Sequence, residues 1–285
     1  MKLALLSYEY PPDTAFGGIG TYTWHQARAL ARLGHEVHVI AGSSDRRLRG
    51  SETHEGVTVW RASSGRAAAL GARSLARLRM WWSSNRLDTA AAMAAAVRRL
   101  EREHRFDALE MPECGAEGLL VTRTAAAPTV VRLHSPARLV MPLYDVHPLD
   151  RWLCARLEAP ALRRASAVTS CSRFLRDAAV TTLGLRRPIE VLPNGIDLAW
   201  FDAADRHDVR AEAGIGADVP VVLFAGRMER RKGIHLCPAI TAAVLERHEV
   251  AFVFAGRDLF GFLERTLLPA LRARPLRGTV HVLGA

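Results

Sequence analysis

Short β-rich apolar runs alternate with longer helical stretches along almost the whole chain, at residues 3–7, 37–41, 57–60, 108–111, 129–134, 167–170 and 189–192. Parallel neighbours in a sheet need a crossover of a dozen or more residues, which a helix supplies. The alternation therefore predicts an α/β chain with a doubly wound parallel sheet. After Asn194-Gly195 the chain turns polar over residues 202–218, and the pattern restarts at Val221-Val222-Leu223-Phe224-Ala225-Gly226. Strands are then expected at 251–255 and 279–283, with helices over 233–247 and 259–274. The expected organisation is a first domain over 1–195, a hinge over 196–218 and a second domain over 219–285, in line with 285 residues at about 150 per domain. Three strands make a thin sheet with an exposed edge, so the second domain reads as incomplete.

Composition narrows the class. Hydrophobic residues at 49% and charged ones at 24% exclude a disordered tail, a collagen and a disulfide miniprotein. The opening Leu3-Ala4-Leu5-Leu6 is too short for the apolar core of a signal peptide, and no apolar run is long enough to span a bilayer, so a cytoplasmic location is expected. Cys114, Cys154, Cys171 and Cys237 form no C-x-x-C pair and have no histidine at finger spacing, which leaves zinc and a disulfide framework without support. The net charge of +10, carried by arginine at all basic positions but Lys2 and Lys232, favours a polyanion: nucleic acid, acidic lipid or a phosphorylated small molecule. No nucleic-acid reader motif accompanies it, so nucleic acid is not expected. Residues 56–87 contain six arginines and no acid, interleaved with leucines, Trp81 and Trp82. This segment is expected to form a basic helix or loop, either touching an anionic membrane or packing its tryptophans inward.

Several loops carry chemistry. The first run opens into Tyr10-Pro11-Pro12-Asp13-Thr14-Ala15-Phe16-Gly17-Gly18-Ile19-Gly20 before a helix expected from Thr21. Glycines there let backbone N–H groups approach an anion at a helix N-terminus, or simply make the turn. The spacing is not G-x-G-x-x-G, because Thr23 stands at the third position. The restart run ends in Gly226-Arg227-Met228-Glu229-Arg230-Arg231-Lys232-Gly233, and Arg227 and Lys232 at a parallel strand's carboxyl end suit a diphosphate, or else form a solvated turn. His134 stands where a strand should end, as a site group or a hydrogen-bonded structural histidine. Glu110 and Glu113 offer carboxylates to sugar hydroxyls or an acceptor proton. The chain has no G-x-S-x-G, G-x-x-x-x-G-K-[ST], H-E-x-x-H or D-x-D, which argues against hydrolase, NTPase and metal-clamped transfer chemistry.

Ser7-x-Glu9-x-Pro11 leading to Gly17-Gly18-Ile19-Gly20-Thr21-Tyr22, Leu33-Gly34-His35-Glu36-Val37-His38-Val39, Leu192-Pro193-Asn194-Gly195-Ile196-Asp197 with Phe201, and Phe224-x-Gly226-Arg227 followed by Lys232-Gly233 occur in this order. In this combination the chain resembles the retaining GT-B glycosyltransferases of family 4. The resemblance implies two Rossmann-like domains facing across a cleft, an acceptor (glycan, lipid or small molecule) on the first and a nucleotide-sugar donor on the second, with no cofactor and no metal. It places Arg227 and Lys232 on the leaving diphosphate, His134 near the transferred sugar, Gly17 and Gly18 in a loop over the donor, Glu9 among sugar or acceptor contacts, and Asn194, Gly195 and Asp197 at the hinge. The family's pair of glutamates separated by seven residues does not occur. A truncated donor domain is therefore expected, and a non-catalytic acceptor-binding module or a nucleotide-sugar epimerase of the same architecture are the alternatives.

Overall fold

The computed structural model describes residues 1–14, 17–43, 50–63, 77–203, 208–272 and 274–283. The chain divides into two compact units, Met1–Phe201 and Asp202–Ala285.

In the first unit, β1 (Lys2–Ser7), β2 (Glu36–Gly42), β3 (Ser51–His54), β4 (Val57–Ala62), β5 (Ala108–Pro112), β6 (Thr129–Leu133), β7 (Ala167–Ser170) and β8 (Glu190–Val191) form one sheet in the order β3-β4-β2-β1-β5-β6-β7-β8. Every pairing is parallel except β3 with β4. The chain winds outward from β1 to β4 on one side and from β5 to β8 on the other, so its direction reverses between β1 and β5. Open α/β sheets bind ligands outside the carboxyl ends at such a reversal.

Helices α1 (Gly18–Arg32), α2 (Trp81–Glu103), α3 (Gly118–Thr124), α4 (Ala137–Val140), α5 (Pro148–Arg164) and α6 (Arg173–Leu183) complete the layers. The strand period of two sorts β1 between two cores. Ala4 and Leu6 join Met93, Val97 and Leu100 of α2, while Leu5 joins Val37, Val39 and Ala27 of α1. Strands buried on both faces read as continuous apolar runs, which is why they stand out in the sequence. Helix α6 has local signals at both ends: the Ser172 hydroxyl accepts from Leu175 N at 3.2 Å, and Gly184 closes it at φ +66°.

The first unit departs from expectation in one region. Ser51-Glu52-Thr53-His54 has no apolar residue, yet it forms the antiparallel edge strand β3. Glu55 and Gly56, both at positive φ, make the two-residue turn that brings it onto β4. Residues 56–87 are consequently not one basic helix or loop: 57–62 are β4 and α2 begins at Trp81, while 64–76, with Arg66 and Arg73, lie outside the described residues. Two of the other arginines turn inward. Arg61 donates to the carbonyls of Tyr10, Pro11 and Gly42, and Arg86 is buried 2.9 Å from Glu158.

The second unit holds β9 (Val221–Ala225), β10 (Ala251–Ala255) and β11 (Thr279–Leu283), parallel in the order β11-β10-β9. Phe252, Phe254, Leu245, Leu263 and Leu267 form its main core. Its helices are shorter than expected, and prolines explain both. Pro238 stands in the first turn of α7 (Cys237–Leu245), after a 3₁₀ turn at Ile234–Leu236. A π turn at Leu263–Leu267 leads into α8 (Leu268–Arg272), whose Pro269 has no N–H to give to a regular ladder. No described helix is long and apolar enough to cross a membrane.

Candidate active site

At the reversal point of the first sheet, four elements meet through side chains. Tyr22, one turn into α1, donates its hydroxyl to Glu110 Oε1 of β5 at 2.8 Å. The Tyr22 ring lies edge-on to His134, with centroids 4.9 Å apart, and the Arg132 guanidinium carbon sits 4.4 Å from the centre of the Tyr22 ring. Arg132, buried on β6, also donates to Leu192 O at 2.5 Å and Asn194 Oδ1 at 2.9 Å. One cation therefore ties the end of β6 to the segment after β8. Burial pushes the Tyr22 phenol well above its usual range, and burial also raises the Glu110 carboxyl against the pull of Tyr22 and Arg132.

Glu113, expected to offer its carboxylate to sugar hydroxyls or an acceptor proton, has both oxygens engaged by backbone amides instead. It is fully buried, and its two oxygens accept from His134 N at 2.8 Å and Ser135 N at 2.5 Å. It therefore positions the loop that carries His134. Burial, with the nearby Glu158, pushes its carboxyl up to about 8. Glu117, at the start of α3, plays a matching part for the other strand by accepting from Tyr8 N at 2.9 Å. Gly17 and Gly20 both pack against Glu9. A Cβ on Gly17 would strike the Glu9 carboxylate, and one on Gly20 would lie 2.7 Å from Glu9 O, whereas a Cβ on Gly18 would meet open space. Packing against backbone therefore requires glycine at Gly20, whereas at Gly17 the obstacle is the flexible end of the Glu9 side chain. Of the residues expected at the hinge, Asn194 is exposed and held by Arg132, Gly195 is exposed with open space where a Cβ would stand, and Asp197 accepts from Arg32 Nη1 at 2.6 Å.

Burial, followed by the charge of Arg132, lowers the His134 imidazole to about 4, so it is neutral at pH 7. An unfolded histidine titrates near 6.5. Between about 6.5 and about 4 the unfolded chain binds a proton that the folded chain refuses, so this group's contribution to stability is lost as pH falls through that window. Imidazole ¹⁵N shifts are expected to report a neutral His134 at pH 5.5, and an imidazolium signal there would overturn the assignment.

In the second unit, the loop after β9 begins at Gly226 (φ +136°) and closes through a 3₁₀ turn, Arg230–Lys232, at Gly233 (φ +81°). Met228 plugs into the core and Glu229 is buried beneath the loop. Glu229 Oε1 holds Arg231 Nη2 at 2.9 Å and Arg227 Nη2 at 3.4 Å, while Lys232 is exposed at the end of the turn. The backbone of Gly226 also comes so close to Gly256, at the end of β10, that no Cβ fits there. Arg227 and Lys232 therefore lie on one loop at the carboxyl ends of β9 and β10, the first a guanidinium fork beside buried Glu229 and the second an exposed point charge, groups of the kinds that suit a phosphate.

Among the described residues, Glu36, His38 and His104 lie near enough to one another to share a metal ion. Trp60 Nε1–H donates to His38 Nδ1 at 3.0 Å, which leaves the ring proton on Nε2, facing Glu36 Oε1 at 3.0 Å. With Lys2 Nζ 2.9 Å from the same oxygen, Glu36 and His38 are joined to Trp60 and Lys2 in one hydrogen-bonded network.

Sequence reasoning missed Tyr22, Arg132 and Glu117. Arg132 had a signal: a lone cation inside the apolar run Val130-Val131-Arg132-Leu133 must be paired if the strand is buried.

A family model described as Glycosyltransferase Family 4 matches residues 16–200. An uncharacterized glycosyltransferase of Methanocaldococcus jannaschii is 25% identical over 275 residues, covering 93% of this chain and 65% of that protein. The alpha-maltose-1-phosphate synthase of Mycolicibacterium smegmatis is 26% identical over 256 residues, covering 84% and 57%. The chain thus spans about three-fifths of the length of these curated relatives. Among solved structures, a sucrose-phosphate synthase from Thermosynechococcus elongatus superimposes with a TM-score of 0.74 at 19% identity, over 99% of this chain and 70% of that one, which establishes the fold. With its fold of GT-B type and its first unit matched almost throughout, the chain belongs to glycosyltransferase family 4.

Proposed function

We propose that the protein transfers a hexose from a nucleotide diphosphate sugar to an acceptor hydroxyl, on a glycan, lipid or small molecule, with retention of anomeric configuration and without a metal. The observation that carries this reading is the pair Arg227 and Lys232 on the loop after β9, in a chain of this family. As the bond from the sugar's anomeric carbon to the diphosphate breaks and the bond to the acceptor oxygen forms, negative charge gathers on the diphosphate. Fixed cations there stabilise the transition state more than the ground state. In the first unit, neutral His134 offers a ring nitrogen for a hydrogen bond to a sugar hydroxyl without adding charge, and Glu110 with Tyr22 forms a polar pair beside it.

Incubation with a panel of nucleotide diphosphate hexoses and sugar or sugar-phosphate acceptors tests the reading. Nucleoside diphosphate release in step with a new glycosidic linkage, its anomeric proton matching the donor's configuration by NMR, is the expected result. An inverted linkage would remove the retaining assignment. An epimerised donor formed without acceptor would replace transfer by epimerisation.

A further inference from the structure

The outer face of α5 has a composition that transfer chemistry does not use. This helix carries two acids, Asp150 and Glu158, and both are buried on its inner side. Asp150 accepts from Trp82 N at 2.9 Å and Ser83 N at 2.8 Å, and Glu158 accepts from Arg86 Nε at 3.0 Å. The opposite side is purely basic. Arg151, Arg156 and Arg163 line, with Trp152 and with Arg138 of α4, a groove of about 500 Å³ that has no acidic residue in its wall. The Arg156 guanidinium carbon lies 5.1 Å from the centre of the Trp152 ring, which orients the fork outward from an aromatic base.

Apolar side chains surround the same end of the unit. Trp152 is 55% exposed, with Leu149 and Leu143 exposed beside it in sequence. A chain of this kind ordinarily buries most of each tryptophan. An exposed tryptophan among four arginines, with exposed leucines in the same segment, asks for a partner that is anionic and apolar at once. A free phosphate would satisfy only the arginines, and a nucleic acid has no use for the leucines.

We propose that the α5 groove with Trp152 forms a docking surface for an anionic phospholipid bilayer, with the arginines on lipid phosphates and the aromatic ring at headgroup level. This surface is distinct from residues 56–87 as a whole, since Arg61 and Arg86 of that segment face inward. It does not depend on which sugar or acceptor the protein uses.

The test is sedimentation of the intact protein with vesicles of phosphatidylcholine alone or with added phosphatidylglycerol. Binding is expected only to the anionic vesicles and is expected to weaken with salt. Arg151→Gln with Arg156→Gln should lower the partition coefficient about 25-fold, at about fivefold for each basic residue near an anionic surface. Trp152→Ser should remove most of the blue shift in tryptophan fluorescence on binding, and thermal melts of both variants should match the parent. Equal binding to neutral vesicles, undiminished binding of the arginine variant, or release from vesicles by millimolar glycerol phosphate would each overturn the proposal. So would arginine-dependent binding of duplex DNA without vesicle binding.

Discussion

Alanine at both Arg227 and Lys232 is expected to lower kcat for hexosyl transfer by about 10²–10³ or more, the range for removing one well-placed donor from developing negative charge. The structure separates this effect from unfolding. Glu229, the buried acid under the loop, keeps Arg231 at 2.9 Å when Arg227 is gone, so no buried carboxylate is stranded. Lys232 is exposed, and truncating an exposed side chain outside the core ordinarily changes stability by less than about 0.5 kcal/mol. The melting temperature should therefore hold while turnover collapses. Charge alone should not restore Arg227, because lysine cannot reproduce a planar fork; Arg227→Lys should recover only part of the loss. Glu229→Gln should act more weakly and in the same direction, since it loosens Arg227 without removing it. Steady-state kinetics on the variants decide the matter, and a double variant with unchanged kcat would remove the loop from the reaction.

How much of this could be read from the chain depended on whether the determining interaction was local. Strands β1, β2, β5 and β6 are sandwiched between layers, so burial on both faces wrote them as uninterrupted apolar runs. The edge strand β3 has one neighbour and all four of its residues exposed, so nothing in Ser51-Glu52-Thr53-His54 marks it except the Glu55-Gly56 turn that follows. The basic loop after β9 was legible because it interrupts an apolar run with a change of residue type. The first-unit site was legible only in part. His134 was visible at a strand end, whereas the buried role of Glu113 rests on amides 21 and 22 residues away, and the Tyr22–Glu110 bond spans 88 positions. Spacing within a motif carries no information about such pairings. Arg86 shows the same limit: in the sequence it belongs to an acid-free basic segment, and in the fold it is the partner of an acid 72 residues on.

That buried pair is where the largest loss of stability is expected. Glu158 accepts from Arg86 Nε at 3.0 Å, from Gly115 N at 3.2 Å and from Ala137 N at 2.7 Å, while both charged side chains are almost wholly enclosed. Glu158→Ala leaves an unpaired buried guanidinium and strips two amides of their acceptor, and breaking a buried pair in this way costs about 3–5 kcal/mol. In a unit of this size that corresponds to a fall of about 6–20 °C in melting temperature. Charge and amides contribute separately, and a double variant divides them. Arg86→Met with Glu158→Leu removes the stranded charge and should regain a large part of the loss, but the Gly115 and Ala137 amides stay unsatisfied and keep it below the parent. The consequences reach the candidate site. Gly115 follows Glu113, and Ala137 follows the loop that carries His134, so Glu158 stitches together the two segments that Glu113 also joins. The double variant, although folded, should therefore show a raised KM for the sugar-bearing substrate. Thermal melts that leave Glu158→Ala within about 1 kcal/mol of the parent would show that water or a rearranged side chain replaces the carboxylate, and that this stitch does not hold the loop of His134.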